Sequence, residues 1–87
     1  MATVFIPSLM QELTDGQSQL DVTGLTVREI INKLEQSNPG LKDRLMDGFK
    51  LKGNITVAVD GEVSPVGVLA KVQENSEVHF LPALGGG

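Results

Sequence analysis

Hydrophobic and polar residues alternate at the start of the chain, as they do in a half-buried β-strand. In the segment ATVFIPSL, Val4 and Ile6 would lie on one face of this strand and Phe5 on the other, and the strand is expected to end near residue 7. Asp15-Gly16 predicts a turn, because glycine adopts positive φ angles without a steric clash. The segment SQLDV then returns as a short second strand, so an N-terminal hairpin is predicted.

A helical period replaces the alternation in the segment LTVREIINKLEQSNPG, which indicates an amphipathic helix. Its apolar face consists of Val27, Ile30, Ile31 and Leu34. Thr26 is placed to cap the N-terminus, and Glu29, three residues later, completes a capping box. Because Pro39 and Gly40 do not continue a helix, the pattern predicts a helix over residues 26–37.

Two further patterns lie in the middle of the chain. The segment LKDRLMDG predicts one more helical turn, with Leu41 and either Leu45 or Met46 facing inward. The segment NITVAVDGEV predicts a second hairpin, in which an alternating strand leads into the turn Asp60-Gly61 and a short strand follows.

The segment EVHFLP predicts the last strand of the domain. Val78 and Phe80 would lie on one face of it, and His79 and Leu81 on the other. Pro82 has no N–H group, so regular pairing is expected to end there.

The order of elements is therefore strand, strand, helix, strand, short strand, strand. This order predicts an α+β domain in two layers, with a mixed sheet of four to five strands and one main helix packed on one face. The predicted domain covers residues 1–82, and residues 83–87 are expected to form a flexible C-terminal tail that ends in Gly-Gly-Gly.

Charge and composition then exclude several classes of function. Seven Lys/Arg against eleven Asp/Glu give a net charge of −4, and only three residues are aromatic, which disfavours nucleic acid as a partner. The chain contains no apolar run of the ~20 residues that a membrane-spanning helix needs, and the start MATVFIPSLM lacks the basic region of a signal peptide. We therefore expect no membrane partner and a cytoplasmic location.

The chemistry of the side chains narrows the choice further. The chain contains no cysteine and a single histidine, which excludes disulfides, thiolate zinc sites, cysteine nucleophiles and histidine-rich metal centres. We predict no catalytic residue and no metal site, and we expect His79 to be a surface or interface residue. The remaining unusual feature is the ending HFLPALGGG, in which the glycines directly follow a core strand and an apolar segment.

This ending carries a resemblance to a known family. The segments ITVAVDGE and ENSEVHFLPALGGG together with the capped helix resemble the MoaD/ThiS family of sulfur carriers, whose fold is the ubiquitin-like β-grasp. The segment NPGLKDRLMDG is most similar to the CysO-type and related MoaD-like members. The resemblance implies that the protein is a carrier and not an enzyme.

The resemblance implies a role for each residue of the ending. A MoeB/ThiF-type activating enzyme would use ATP and Mg to adenylate Gly87, and a sulfur donor would then convert it to a thiocarboxylate. No cofactor would be bound by the carrier itself. Gly85 and Gly86 would let the tail pass through a narrow channel of the partner, and Leu81, with Phe5 and His79, would form an apolar patch that docks on the partner.

Three alternatives stay open at the level of the sequence. The accepting enzyme would be a cysteine synthase-like protein or the large subunit of molybdopterin synthase, with thiamine thiazole as a third outlet for the sulfur. The same activated glycine would also serve a ubiquitin-like modifier that is conjugated to lysines. Gly85 adds a third glycine to the usual pair, so the sulfur-carrying residue is either Gly87 or, after trimming, Gly86.

Overall fold

The computed structural model describes residues 1–82. Their α-helices are α1 (Val27–Ser37) and α2 (Leu41–Leu45), and two 3-10 helices span Ser8–Thr14 and Gly67–Leu69. The strands are β1 (Ala2–Phe5), β2 (Gln19–Val22), β3 (Met46–Asp47), β4 (Lys50–Leu51), β5 (Ile55–Val59), β6 (Glu62–Val63) and β7 (Glu77–Pro82).

Five of these strands form one mixed sheet in the order β2-β1-β7-β5-β6. The strands β1 and β7 run parallel, and the other three pairs are antiparallel. The last strand therefore lies in the centre of the sheet, beside the first. The prediction of a mixed sheet with one main helix on one face is confirmed, and the short strands β3 and β4 form a separate hairpin.

The core lies between the sheet and the helical layer. It is aliphatic apart from Phe80, because the inward positions of β1, β5 and β7 and the apolar face of α1 carry Val, Ile and Leu. The side chains that are almost fully buried include Val4, Val27, Ile30, Ile31, Leu34, Leu41, Leu45, Val57 and Val78. The predicted alternation of strand faces and the predicted apolar face of the helix are both confirmed.

The boundaries of α1 follow from its capping residues. Thr26 is the N-cap, and its hydroxyl oxygen accepts a hydrogen bond from the Glu29 N–H at 3.2 Å, an arrangement that stabilises a helix by about 1 kcal/mol. After α1 the chain reverses at Gly40, whose φ of 99° is unfavourable for other residues. The Glu35 carboxylate accepts hydrogen bonds from the Gly40 and Lys42 N–H groups, which fixes α2 against α1.

Two elements were not predicted from the sequence. The segment Ser8–Thr14, for which the sequence pattern predicts no element, forms a 3-10 helix between β1 and β2. The hairpin of β3 and β4 follows directly on the predicted helical turn, which is confirmed as α2. Both elements are too short to show a hydrophobic period of their own.

The start of β7 is fixed by the side chain of Asp60 in the β5–β6 turn. One carboxylate oxygen accepts a hydrogen bond from the Glu77 N–H at 2.9 Å, and the other accepts one from the buried Ser76 hydroxyl at 2.8 Å. Both hydrogen bonds hold the pKa of Asp60 below its ordinary value of 3.8, and the one from the Glu77 N–H has the larger effect. Asp60 therefore connects the turn of one hairpin to the central strand.

This connection predicts a pH-dependent contribution to stability. A carboxyl whose pKa is lower in the folded than in the unfolded chain stabilises the fold above its unfolded-state pKa, and the contribution is lost as the pH falls through the folded-state pKa. The variant Asp60→Asn tolerates the φ of 53° at this position but carries no charge. We expect it to melt at a lower temperature than the wild type near neutral pH and at the same temperature in strong acid. Thermal denaturation at stepwise lower pH measures this difference, and a difference that does not change with pH would contradict the role of the charge.

Candidate functional site

The side chains of Phe5, His79 and Leu81 lie on the face of the sheet opposite to α1, and we call them the outer-face patch. Phe5 ends β1, and its position in the parallel pair lies directly beside His79 of β7. Leu81 follows two residues after His79, so its side chain lies on the same face, and 39 % of it is exposed. The structure thus brings together the three residues that the sequence predicted as a docking surface.

The rings of Phe5 and His79 are stacked. Their centroids are 4.0 Å apart and their planes differ by 7°. A stacked ring pair contributes about 0.5–1.5 kcal/mol beyond its buried area, so the two side chains hold each other in place. The Nε2 atom of His79 also lies 3.5 Å from a carboxylate oxygen of Glu77 on the same strand. The imidazole is therefore a fixed part of the patch.

A groove of ≈ 590 Å³ adjoins the outer-face patch at the end of β7, and we call it the tail-root groove because residues 83–87 follow directly after Pro82. One wall is the 3-10 helix, which contributes Leu9 and Met10. Leu9 exposes 85 % of its surface. The apolar lining consists mainly of Phe5, Pro7, Leu9, Met10, Leu81 and Pro82.

The charged side chains of the tail-root groove are cationic. Arg44 and Lys52 line it, and none of the Asp or Glu side chains of residues 1–82 does. The Arg44 guanidinium donates hydrogen bonds to the Glu12 carboxylate at 2.8 Å and to the Leu9 carbonyl at 3.3 Å. Arg44 thus ties the 3-10 helix to α2 and keeps Leu9 at the rim of the groove.

Sequence reasoning missed the residues that the 3-10 helix and α2 contribute to the groove. Leu9, Met10 and Leu13 form an apolar cluster in a segment for which no element is predicted, and this cluster is the signal that the sequence offers. No local signal points to Arg44, because its partners Leu9 and Glu12 lie more than thirty positions earlier in the chain.

The site offers apolar contact and hydrogen-bond donors, which suits the binding of another protein. Within the part of the chain that the structure describes, no three His, Asp or Glu side chains lie close enough to hold a metal ion. Likewise, none of the helices found in residues 1–82 is long and apolar enough to cross a membrane. Gly85, Gly86 and Gly87, with the rest of the predicted tail, lie outside the described residues.

Comparison with known sequences extends over almost the whole chain. The sequence model of the ThiS family matches residues 4–87. The sulfur carrier protein CysO of Mycobacterium tuberculosis (strain ATCC 25618 / H37Rv) is 34 % identical over 90 aligned positions, which cover 98 % of this chain and 97 % of the relative.

Solved structures show the same fold. A chain of the Amycolatopsis orientalis BexX/CysO complex is 36 % identical, and the match covers 100 % of both chains with a TM-score of 0.90. CysO of Mycobacterium tuberculosis is 29 % identical, with a TM-score of 0.90 and coverage of 97 % of this chain and 100 % of that one. The small archaeal modifier protein 1 of Methanosarcina acetivorans, at 21 % identity and a TM-score of 0.80, shares the β-grasp fold over 99 % of this chain and 95 % of its own.

Proposed function

This chain belongs to the ThiS family, and on that premise we propose that it is a sulfur carrier protein that supplies sulfur for cysteine biosynthesis. The observation that carries the proposal is the position of the site. The outer-face patch and the tail-root groove surround the point where the chain leaves the sheet towards its glycines. A partner that grips this surface can direct the tail into its own catalytic centre.

The carboxylate of Gly87 is the group that we propose to carry the sulfur. In the activating enzyme, a carboxylate oxygen attacks the α-phosphorus of ATP, which forms the acyl-adenylate and releases pyrophosphate. Sulfide then attacks the acyl carbon, AMP leaves, and a thiocarboxylate remains. The partner supplies ATP, Mg and the catalytic groups. The carrier supplies the surface that the partner binds and a narrow tail that brings the Gly87 carboxylate to the partner's catalytic centre.

The glycines are suited to this role because they carry no Cβ atom. Gly85 and Gly86 would pass through a channel that is too narrow for any side chain. The five residues from 83 to 87 can span at most about 18 Å, which sets the depth at which the partner's centre can lie below its docking surface.

The similarity to CysO supports one of the accepting partners that the sequence left open. The sequence left a cysteine synthase-like enzyme and the molybdopterin synthase large subunit open as acceptors, and the relatives and structures named CysO favour the cysteine synthase-like enzyme. The activating partner in this proposal is a MoeB/ThiF-like enzyme. Because activation consumes ATP, we place the reaction in the cytoplasm.

The proposal predicts a defined change in mass. Incubated with its activating enzyme, Mg-ATP and sulfide, the protein should gain the mass difference between one sulfur and one oxygen atom. Intact mass spectrometry measures this gain, and it also shows whether the modified chain ends at Gly87 or at a trimmed Gly86. Omission of ATP is the control and should leave the mass unchanged. A chain that stays unmodified in the complete mixture would contradict the proposal.

The acceptor is tested separately. The thiocarboxylate form is mixed with the cysteine synthase-like enzyme of the same organism and an activated serine derivative. Its sulfur should displace the leaving group of the serine derivative, so that a cysteinyl adduct of the carrier appears, and hydrolysis of this adduct should release cysteine and restore the terminal carboxylate. Release of sulfur to the molybdopterin synthase large subunit alone would reassign the product but leave the carrier function intact. Conjugates to lysines without any thiocarboxylate would support a modifier in place of a carrier.

A further inference from the structure

Phe49 is not among the residues that line the tail-root groove, and it exposes 90 % of its surface. It follows Gly48 at the tip of the β3–β4 hairpin, and Gly48 has a φ of 68°. The base of this hairpin is fixed, because Met46 belongs to the core and the Lys52 N–H donates a hydrogen bond to the Leu45 carbonyl at 3.0 Å. The hairpin thus presents an aromatic ring to solvent on a firmly attached support.

A hollow of ≈ 200 Å³ lies beside Phe49, between the hairpin and the two α-helices. Its polar lining comes from Arg28 and Asn32 of α1 and from Lys42 of α2, and its floor includes Met46. The Lys42 ammonium donates a hydrogen bond to the Asn32 side-chain oxygen at 2.8 Å, which holds the charge at the rim. None of the carboxylates of residues 1–82 lines this hollow.

The positive charges of the hollow are available to a partner. In residues 1–82 the only ion pair of an Arg or Lys side chain is Arg44–Glu12, so neither Arg28 nor Lys42 takes part in one. The nearby Glu35 carboxylate is already bonded to backbone N–H groups of Gly40 and Lys42. The hollow is therefore locally positive and lies beside an exposed aromatic ring, although the net charge of the whole chain is −4.

We propose that Phe49, Arg28 and Lys42 form a second docking surface, which binds an acidic segment of a partner protein through one apolar side chain flanked by carboxylates. The apolar side chain would pack on the Phe49 ring, and the carboxylates would meet Arg28 and Lys42. The cationic lining is complementary to carboxylates, and a hollow of ≈ 200 Å³ offers room for a single side chain, which favours a segment of a protein over a membrane surface or a nucleic acid.

This surface is separate from the site of the proposed sulfur transfer. The outer-face patch lies on the sheet face opposite to α1, whereas the hollow beside Phe49 is built from α1, α2 and the hairpin. The hollow and the tail-root groove both include residues of α2, Lys42 in one and Arg44 in the other, but their linings share no residue. A side chain confined to the hollow therefore does not cover the lining of the tail-root groove. The inference therefore stands apart from the proposed function, and loss of the glycines should not affect it.

The test uses the full chain and an acetylated synthetic peptide in which single leucines alternate with pairs of glutamates. We expect the peptide to shift the backbone amide NMR signals of the β3–β4 hairpin and of the first turn of α1. Phe49→Ala should weaken binding by about tenfold, as loss of a central aromatic contact does. The double variant Arg28→Glu, Lys42→Glu should abolish binding, whereas Leu25→Ala, another exposed apolar site, should not alter it.

Two controls distinguish the possible outcomes. The same peptide with glutamine in place of glutamate should not bind. An increase in the salt concentration from about 0.01 M to about 0.15 M shortens the Debye length from about 30 Å to about 8 Å, so it should weaken the binding of the acidic peptide. Absence of shifts at the hairpin, or equal binding of both peptides, would overturn the proposal. Stronger Phe49-dependent binding to phosphatidylglycerol vesicles than to the peptide would also overturn it, in favour of a membrane contact.

Discussion

Removal of Gly86 and Gly87 should abolish formation of the thiocarboxylate. The shortened chain ends about 7 Å earlier, at about 3.6 Å per residue, so its carboxylate no longer reaches the phosphate of ATP when the domain is docked on the activating enzyme. We expect no gain in mass in the complete reaction mixture and no pyrophosphate release above background. Both quantities are measured with the wild-type chain in parallel.

A variant of equal length distinguishes the effect of tail length from the effect of side-chain size. Gly86→Val retains the position of the terminal carboxylate but adds a branched side chain, which a narrow channel should exclude. We expect it to be nearly as inactive as the shortened chain, while both variants keep the melting temperature of the wild type, because the core is formed within residues 1–82. A shortened chain that still gains sulfur at its new terminus would contradict the proposed role of the last two glycines.

The elements that could be predicted from the sequence are those whose signals are local. The cap at Thr26 and the apolar residues of α1 lie within a dozen positions of one another, and the β5–β6 turn is marked by Asp60-Gly61. The parallel pairing of β1 with β7 joins residues more than seventy positions apart, and nothing in either segment encodes it alone. The individual strands and the helix could thus be predicted from local patterns, whereas the arrangement of the strands in the sheet came from the resemblance to a family.

The same distinction applies to the site. Alternation in β7 was sufficient to place His79 and Leu81 on one face, and alternation in β1 to place Phe5 on an outward face. The stacking of Phe5 on His79 depends on the register of the parallel pair, which a sequence pattern does not contain. The groove wall was missed for a related reason, since a 3-10 helix has no long apolar period and Arg44 reaches it from a distant segment.

Leu81→Glu should weaken binding to the activating enzyme by about a hundredfold or more, the range of a central interface residue. Leu81 connects the outer-face patch to the tail-root groove, and of the three patch residues it lies closest in sequence to the tail. A glutamate at this position would bury a charge against the apolar surface that we expect on the partner. The dissociation constant is measured by titration of the fluorescently labelled carrier with the activating enzyme in the absence of ATP.

The fold offers a matched control on the same face of the sheet. Val63 of β6 pairs with Ala58 of β5, and Ala58 pairs with His79 of β7, so the Val63 side chain lies on the same face of the sheet as His79. Val63 belongs to the edge strand, however, and it does not line the groove. It is 61 % exposed, and Val63→Glu should therefore leave both affinity and stability unchanged. Equal losses from both variants would mean that added negative charge, and not the position of Leu81, decides docking. An unchanged affinity of Leu81→Glu would show that the partner binds elsewhere, because no interface centred on this patch could accept a buried carboxylate without loss.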